Sequence, residues 1–482
     1  MTHPDQFMAL CAERSLTFKT WAERGERMET LIREQAEKIR RNRKVSSLLS
    51  PEDFYARVRA HTAERLGEET AERTEAAVRL GAVLTADHHG GLYCAQSFQT
   101  DLLFGEILKE LGNRDPLIPI MPGGQVELDS STFARGLCVY ADPNGKRKLP
   151  IYPVKPCARI ACRTPAMTAE QLQRFRRRYI ETKRPGKLEE TLDDLFRSVY
   201  EKPEILESRR FEDQATRLGA ALSRKLFRGE GPLMVYMEME TLTTPMMIRE
   251  IREGTSPLAR MLLDPEARRR MNREPLESGS LLSQYLFRTA DAHGHKILLT
   301  LTEEGTLTGQ DWHGERVTLD AGREALIAGL ERGELIPGIL AIAVMTFFER
   351  GVTWLGGVFQ TRYLPEWQRG LISLFRELGL PAAAETIGAY DCTGYACGPM
   401  TALYGGDGFA VCAGPVECLM GGAEYPAVVR TLRETRIGDA HRIGMMEMFE
   451  DLAGRDERPE GWYRTMAESL GRRFAENVVA NG

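Results

Sequence analysis

The chain lacks the motifs that mark several large classes of enzyme. No G-x-G-x-x-G follows a predicted strand, no G-x-x-x-x-G-K-[ST] occurs, and the serine elbow G-x-S-x-G is missing. These absences argue against a standard nucleotide-binding loop and against an α/β-hydrolase. The net charge of -5 is small for 482 residues, which argues against a general binder of nucleic acids or anionic membranes.

Long apolar runs are missing as well, and the first residues predict no secretory signal. The longest apolar stretch, 335–348, contains Pro337 and Gly338 and is too short to span a bilayer, so it predicts a buried core helix. The first six residues (MTHPDQ) contain no apolar h-region. The nine cysteines are an odd number in a large chain without a leader, which indicates reduced thiols. We therefore expect a soluble cytoplasmic protein that binds neither membrane nor nucleic acid.

Helix-like and strand-like patterns both recur along the chain and predict an α/β fold, with a mixed α+β fold as the alternative. A length of 482 residues suits two or three domains. We expect two α/β portions, a helical insertion, and a helical N-terminal arm that packs on its own body or on a second subunit. The predicted boundaries are 1–80 for the helical arm or cap, 81–165 for the first α/β portion with the candidate site, 166–230 for the helical insertion, and 231–482 for the second α/β portion with a Gly/Cys-rich segment and a helical C-terminus.

The stretch Gly81–Gly91 carries the sharpest functional signal. Its short apolar run, Ala82–Leu84, predicts a buried strand, which gives way to Asp87, His88 and His89 and then to two glycines. The paired glycines allow a tight exit from the strand. Polar residues at the end of a buried strand are typical of the place where open α/β sheets bind their ligands.

Two chemistries fit Asp87, His88 and His89, and a structural interpretation competes with both. Imidazole and carboxylate are ligands of Zn, Mn or Fe, so the three residues can hold a divalent metal. Alternatively, one histidine acts as a general base that the aspartate orients. In the structural interpretation, one histidine bonds to backbone and the other is exposed.

The tripeptide resembles that of the DHH phosphoesterases, in which it also follows a strand and helps to hold manganese. That family needs an upstream aspartate cluster, whereas only Asp5 and Asp53 precede Asp87 here. The resemblance covers three residues, and we do not assign the chain to that family.

Two other predicted strands also end in a glycine pair followed by polar residues. The pairs are Gly123-Gly124 and Gly356-Gly357. Backbone amides exposed by glycines, together with a guanidinium, suit a carboxylate or a phosphate. The alternative for the second pair is a close backbone contact between strands. The candidate substrate-binding residues are Arg362, Gln360, Arg135 and Gln125.

A less favoured metal site consists of His293, His295 and His313. The first two would share one face of a strand, and a cross-strand His313 would complete a three-histidine site. The flanking glycines fit ordinary turns equally well.

The cysteines carry weaker signals. Cys392, Cys397, Cys412 and Cys418 are spaced C-x4-C and C-x5-C, which misses the usual zinc knuckle and favours small buried hydrophobes. Cys94 is a nucleophile candidate if a neighbouring imidazole lowers its pKa, and otherwise a buried bystander.

We conclude from the sequence that the chain is best interpreted as an enzyme, with a metal-dependent hydrolase or lyase as the leading hypothesis. Its substrate would be a small polar, anionic metabolite, and Asp87, His88 and His89 would supply metal ligation or general acid/base chemistry. One alternative is a metal-free lyase or transferase that uses a histidine base. The other is a non-catalytic binding or assembly protein whose helical arm forms oligomers, and we expect a homo-oligomer.

Overall fold

The computed structural model of the protein describes residues 3–88, 90, 94–128, 135–153, 159–184 and 186–481. Its strands are β1 (Ala82–Leu84), β2 (Leu117–Ile120), β3 (Gly136–Val139), β4 (Arg147–Pro150), β5 (Leu233–Tyr236), β6 (Phe287–Ala290), β7 (Lys296–Leu301), β8 (Thr306–Gln310), β9 (Arg316–Asp320), β10 (Ile336–Pro337), β11 (Thr353–Gly357), β12 (Tyr395–Cys397), β13 (Leu403–Gly406), β14 (Phe409–Cys412) and β15 (Val478–Asn481).

The α-helices are α1 (His3–Arg14), α2 (Leu16–Ala22), α3 (Met28–Asn42), α4 (Glu52–Leu66), α5 (Glu68–Val78), α6 (Ala95–Glu110), α7 (Ala169–Arg176), α8 (Lys187–Leu195), α9 (Pro203–Leu206), α10 (Phe211–Lys225), α11 (Met239–Glu253), α12 (Pro257–Leu263), α13 (Pro265–Arg273), α14 (Arg323–Glu331), α15 (Ile339–Ala343), α16 (Gln360–Glu377), α17 (Pro381–Ala389), α18 (Pro415–Gly421), α19 (Tyr425–Glu434), α20 (Ile437–Leu452) and α21 (Trp462–Arg473). Short 3-10 or π-helical segments are Ala161–Arg163, Arg177–Glu181, Phe196–Tyr200, Leu226–Gly229, Leu282–Tyr285, Val344–Phe348, Arg455–Glu457 and Ala475–Asn477.

A five-stranded parallel sheet lies at the centre of the fold. Its strands pair in the order β12-β11-β1-β2-β5. The chain runs outward from β1 through β2 to β5, and it then crosses to the other side of β1 to form β11 and β12. The order of the strands therefore reverses between β1 and β11. Such a reversal opens a crevice outside the carboxyl ends of the strands, which is where open α/β sheets bind ligands.

Alternate side chains of the central strands enter two hydrophobic cores, one on each face of the sheet. Ala82 and Leu84 of β1 pack in one core, whereas Val83 packs in the other. Burial on both faces explains why this strand is apolar throughout. The α/β fold class expected from the sequence is confirmed. Residues 81–165 contribute β1 and β2 to the sheet and residues 231–482 contribute β5, β11 and β12, so the two α/β portions share one sheet.

The helices of residues 3–80 pack into the same two cores. Phe18 and Leu31 belong to the first core, and Phe54 and Val58 belong to the second. The predicted arm therefore buries apolar side chains against its own chain. Its use in forming a homo-oligomer stays a prediction.

A second sheet is antiparallel, with the order β10-β6-β7-β8-β9, and β10 connects it to the central body. Within the apolar stretch 335–348, Ile336-Pro337 form β10 itself, and α15 with the π-helical segment Val344–Phe348 follows, fully buried from Leu340 onward. The core helix expected over 335–348 is therefore present only from Ile339. Among the described residues, no helix combines the length and the apolar character needed to cross a membrane.

A buried ion-pair network fixes α4 to the body of the protein. The guanidinium of Arg350, with 1% of its side chain exposed, lies 2.8 Å from Asp53 and from Glu250 and 3.3 Å from Glu349. Burial and the neighbouring Glu250 raise the pKa of Glu349 well above its ordinary value. Arg350 thus lies among three carboxyl groups, and Arg249 also pairs with Asp53.

We expect Arg350→Ala to lower the free energy of unfolding by about 3–5 kcal/mol, because it leaves buried carboxylates without their cation. Arg369→Ala is the matched control, since its pair with Glu277 is exposed and should contribute at most about 1 kcal/mol. Urea unfolding of the three proteins measures the difference. A loss below 1 kcal/mol in Arg350→Ala would contradict this account of the network.

Candidate functional site

The carboxyl ends of the parallel strands bring together polar residues that are far apart in the sequence. His88 follows β1, Gly123 and Gln125 follow β2, and Glu238 and Glu240 follow β5. The sheet order places these three strands side by side, so their ends form one continuous edge.

Asp87 lies inside this edge, not in a cavity. It is 3% exposed, and its Oδ2 accepts a hydrogen bond of 2.6 Å from the Tyr236 hydroxyl, which also lies 3.3 Å from Asp101 Oδ2. Burial, and then the charge of Asp87, raise the pKa of Asp101 well above its ordinary value. Asp87 and Tyr236 thus belong to a buried hydrogen-bonded group that supports the segment leading to His88.

The hydrogen bond of His88 defines its tautomer. The backbone N–H of Gly123 donates to His88 Nδ1 at 3.2 Å. Because Nδ1 accepts, the proton of the neutral ring lies on Nε2. In this tautomer Nδ1 is the acceptor and Nε2 the donor of the ring. His89 lies outside the described residues, so metal ligation by Asp87, His88 and His89 together stays a prediction.

Three buried carboxyl groups lie beside His88. Those of Glu212, Glu238 and Glu240 belong to residues that are 5%, 4% and 4% exposed. The Thr241 hydroxyl lies 3.0 Å from both oxygens of Glu212 and 3.0 Å from Glu238 Oε1, so it joins two of the carboxyl groups. Arg210 pairs with Glu212 and lies 4.0 Å from Glu238.

Burial keeps these groups from ionising together. Burial, and then the charge of Glu212, raise the pKa of Glu238 well above its ordinary value. Burial raises the pKa of Glu240 to about 7, although hydrogen bonds from Gln125 and from the backbone of Gly124 oppose the shift. Those two hydrogen bonds measure 2.9 Å and 2.6 Å. Glu240 is therefore a carboxyl group that exchanges its proton near neutral pH.

The glycine pair after β2 gives the carboxyl groups their space. A Cβ on Gly124 would lie 2.6 Å from Glu238 Cδ and 2.7 Å from Glu240 Oε2. Since real Cβ atoms do not approach this closely, the two glutamates can approach the backbone only at glycine. The glycine pair Gly123-Gly124 in the sequence thus marks a place where acidic side chains lie close to the backbone.

The largest cavity, of about 670 Å³, opens from these carboxyl groups, and we call it the arginine lobe. Within the described part of the chain, the Arg159 and Arg163 guanidinium groups make no hydrogen bond or ion pair. The lobe is lined by Arg159, Cys162, Arg163, Thr164, Pro165, Arg210, Glu238, Glu240, Thr241, Thr244, Pro245, Leu330, Gly333, Leu335, Ile336 and Pro337. Unpaired guanidinium groups in a cavity of this size suit a small anion.

A second cavity, of about 230 Å³, lies at the reversal of strand order between β1 and β11, and we call it the apolar lobe. It is lined by Thr85, Ala86, His88, Gln96, Gly357, Val358, Phe359, Gln360, Tyr363, Cys397, Met448 and Leu452. A small cavity of about 20 Å³, the neck, shares His88 with the apolar lobe and Glu238 with the arginine lobe. The two lobes and the neck are separate cavities that share lining residues along the carboxyl edge, and we call the three together the crevice.

Of the predicted substrate-binding residues, Gln360 lines the apolar lobe, whereas Gln125 contacts the acidic cluster without lining either lobe. Gln125 bonds Glu240 and the Pro337 carbonyl, at 2.9 Å each. Gln360 is buried, and its Oε1 accepts a hydrogen bond of 2.6 Å from the Thr85 hydroxyl. A Cβ on Gly356 would lie 2.2 Å from that oxygen, so this glycine makes room for Gln360.

The two predicted arginines lie elsewhere. Arg362 is exposed and is not among the residues that line either lobe. It stands two positions after Gln360 on α16, and residues two apart on a helix point in different directions. Arg135 precedes β3, and its guanidinium donates to the Tyr152 carbonyl at 3.3 Å.

The other predicted histidines lie in hairpin turns. Asp291 Oδ1 accepts from the backbone N–H groups of His293 and His295, at 2.8 Å and 2.9 Å. Asp311 Oδ1 accepts from His313 N–H in the next hairpin, at 2.8 Å. This is the turn chemistry that the sequence offered as the alternative. Among the described residues, no group of three or more His, Cys, Asp or Glu has an arrangement that could hold a metal.

The cysteines of the sequence analysis are largely buried. Cys94, at 1% exposure, contacts the Ser97 hydroxyl at 3.3 Å, and burial raises its pKa well above the ordinary value, which makes its thiol a poor nucleophile. Cys392, Cys412 and Cys418 are buried, whereas Cys397 is half-buried at the apolar lobe.

Sequence reasoning missed the acidic cluster and its arginines. The pattern Met-Glu-Met-Glu over 237–240, directly after a predicted strand, was an available signal for Glu238 and Glu240. Glu212, Arg159 and Arg163 lie in segments with no strand-end signal, and the tertiary fold alone brings them to the crevice.

The chain matches no protein-family model, no curated protein and no solved structure.

The raised pKa of Glu240 predicts a pH-dependent stability. A carboxyl group whose pKa is raised from 4.5 to about 7 stabilises the fold most at low pH, and this contribution is lost as the pH rises through 7. Relative to Glu240→Gln, the wild type should therefore lose up to about 3 kcal/mol of unfolding free energy between pH 4.5 and 7.5.

Glu417→Gln is a matched comparison, because burial also raises the pKa of Glu417 to about 7 although Glu417 does not line the crevice. Both variants should show the same direction of pH dependence in urea unfolding at several pH values. A stability difference between wild type and Glu240→Gln that does not change with pH would contradict the raised pKa.

Proposed function

We propose that the protein is an enzyme that transfers protons to and from a small anionic metabolite bound in the arginine lobe. One observation carries the proposal: Glu240, which exchanges its proton near pH 7, lines the same cavity as two guanidinium groups without partners among the described residues. A lyase fits this chemistry best, because elimination at a carbon next to a carboxylate needs a positioned anion and a proton acceptor.

The arginines would hold and orient the substrate. Arg159 and Arg163 offer planar guanidinium groups, which bind carboxylate or phosphate oxygens in pairs of charge-assisted hydrogen bonds. Arg210 is already paired with Glu212, so its guanidinium would be less available to the substrate than those of Arg159 and Arg163.

The glutamates would supply the acid and the base. A pKa near the working pH maximises general acid–base catalysis, and Glu240 meets this condition. Burial and the neighbouring Glu212 raise the pKa of Glu238 well above its ordinary value, so Glu238 holds its proton more tightly than an ordinary glutamate and would act as the acid. Two neighbouring carboxyl groups with different affinities for a proton are the usual basis for dividing the roles of acid and base.

His88 would assist as a hydrogen-bond donor. Its Nδ1 is occupied by the Gly123 amide, and its Nε2 carries the proton. A neutral imidazole that donates can stabilise negative charge developing on a substrate oxygen. This role differs from the general base expected from the sequence, because Nδ1, the acceptor nitrogen of this tautomer, already bonds the Gly123 amide.

The first test is binding of anions to the full chain. The probes are inorganic phosphate, malonate, succinate and citrate, and calorimetry measures their Kd. We expect at least one of them to bind. Arg163→Ala and Arg159→Ala should each raise its Kd about tenfold or more, because each removes a charge-assisted hydrogen bond. Arg369→Ala is the control, because its guanidinium lies outside the crevice. Failure of every anion to bind, or equal affinity in all variants, would contradict the proposal.

The second part of the test is turnover of anionic metabolites, followed by NMR as exchange of substrate protons with deuterated water. For a substrate found in this way, Glu240→Gln should lower kcat by about 100-fold or more with little change in KM, because it removes a proton carrier without removing the arginines. Glu417→Gln should leave kcat unchanged. Equal kcat in wild type and Glu240→Gln would overturn the assigned role.

A further inference from the structure

The apolar lobe lies at the position in the sheet where a ligand is most expected. It opens between the ends of β1 and β11, where the strand order reverses. His88 lines both this lobe and the neck that leads to the acidic cluster. A molecule in the apolar lobe would therefore lie next to the proposed reaction centre.

The chemistry of this lobe differs from that of the arginine lobe. Among its described lining residues there is no Lys, Arg, Asp or Glu, and Val358, Phe359, Met448 and Leu452 contribute apolar surface. Its uncharged polar lining includes Gln96, Tyr363, Thr85 and Gln360. Of these, Thr85 and Gln360 bond each other at 2.6 Å, and Gln360 also lies 3.3 Å from the Trp354 carbonyl. The lobe thus suits an uncharged group with few hydrogen-bonding atoms.

The size and the mouth of the lobe indicate a ring. An apolar cavity of about 150 Å³ accommodates benzene, and this one measures about 230 Å³. Phe359 lines it although 61% of this residue is exposed, an unusual position for a phenylalanine. An aromatic side chain at the rim offers a face on which a planar ring can stack.

We propose that the apolar lobe binds an uncharged ring, which Phe359 covers while His88 lies at its inner end. The link to catalysis rests on the proposed function. The ring belongs either to the anionic substrate itself, extending through the neck, or to a second molecule that reacts with it. The lobe's chemistry is the same in both cases, and the choice of probes separates them.

Two cysteines allow the lobes to be monitored separately. Cys162 lines the arginine lobe and Cys397 lines the apolar lobe, and both are half-buried. Because burial raises the pKa of the Cys162 thiol well above its ordinary value, its labelling is slow and is followed over an extended time course, with the rate in the absence of any probe as the reference. N-ethylmaleimide labelling of the full chain, quantified by mass spectrometry for each cysteine, therefore reports which lobe a probe occupies. The probes are malonate, benzyl alcohol, the two together, and a series of phenyl carboxylates from phenylacetate to 5-phenylpentanoate.

We expect benzyl alcohol to slow labelling of Cys397 at least threefold and to leave Cys162 unchanged, with malonate showing the reverse pattern. Phe359→Ala should weaken benzyl alcohol binding about tenfold, the effect expected of a lost aromatic contact. Trp312→Ala is the matched control, because it removes an aromatic ring that is 72% exposed and lies outside the crevice. A single phenyl carboxylate that protects both cysteines supports one extended substrate, whereas protection of both only by the pair of small probes supports two molecules.

The failures are distinguishable. If malonate protects Cys162 but no ring-bearing probe protects Cys397 or responds to Phe359→Ala, the ring site is overturned and the proposed function stands. If benzyl alcohol protects Cys397 but no anion protects Cys162, the ring site stands, and binding of an anionic substrate in the arginine lobe is contradicted.

Discussion

The crowding of three buried carboxyl groups is the constraint on which the account of this protein depends. Glu212, Glu238 and Glu240 lie together at the edge of the sheet, and Arg210 is the cation paired with them in the described residues. Charges of one sign cannot be buried side by side without a large cost, so protons must remain on some of the groups. The raised pKa values of Glu238 and Glu240 follow from this constraint.

The ion-pair network around Arg350 shows how the same protein stabilises buried carboxyl groups that have only a structural role. There the Arg350 guanidinium lies within 3.3 Å of Asp53, Glu250 and Glu349, and Arg249 also pairs with Asp53, so the carboxyl groups have direct cationic partners. No cation pairs directly with Glu240 in the described part of the chain, and its hydrogen bonds come from neutral amides. A carboxyl group left in this state at the rim of a large cavity contributes little to stability, and it is suited to proton exchange.

The sequence allowed part of this arrangement to be predicted, because strand ends are local signals. His88 follows an apolar run and precedes a glycine pair, and it lines the apolar lobe and the neck. Gln125 follows an apolar run and a glycine pair, and it donates a hydrogen bond to Glu240. The order of the strands is not local, and it decides which ends meet: β5 lies next to β2, although more than a hundred residues separate them. Glu212 lies on α10, and the tertiary fold, not the local sequence, brings it to the same edge of the sheet. Gln360 and Arg362 stand two positions apart on one helix, so only one of them points to the crevice. His293 and His313 lie in turns that aspartate side chains stabilise.

The most direct test of the central claim is a crystal structure of the protein soaked with selenate, with the anion located by the anomalous signal of selenium. The account predicts selenate in the arginine lobe, within hydrogen-bond distance of Arg159 or Arg163 and on the same side of the cavity as Glu240. Crystals in which selenate binds elsewhere, while this lobe holds no anion at the same concentration, would contradict it.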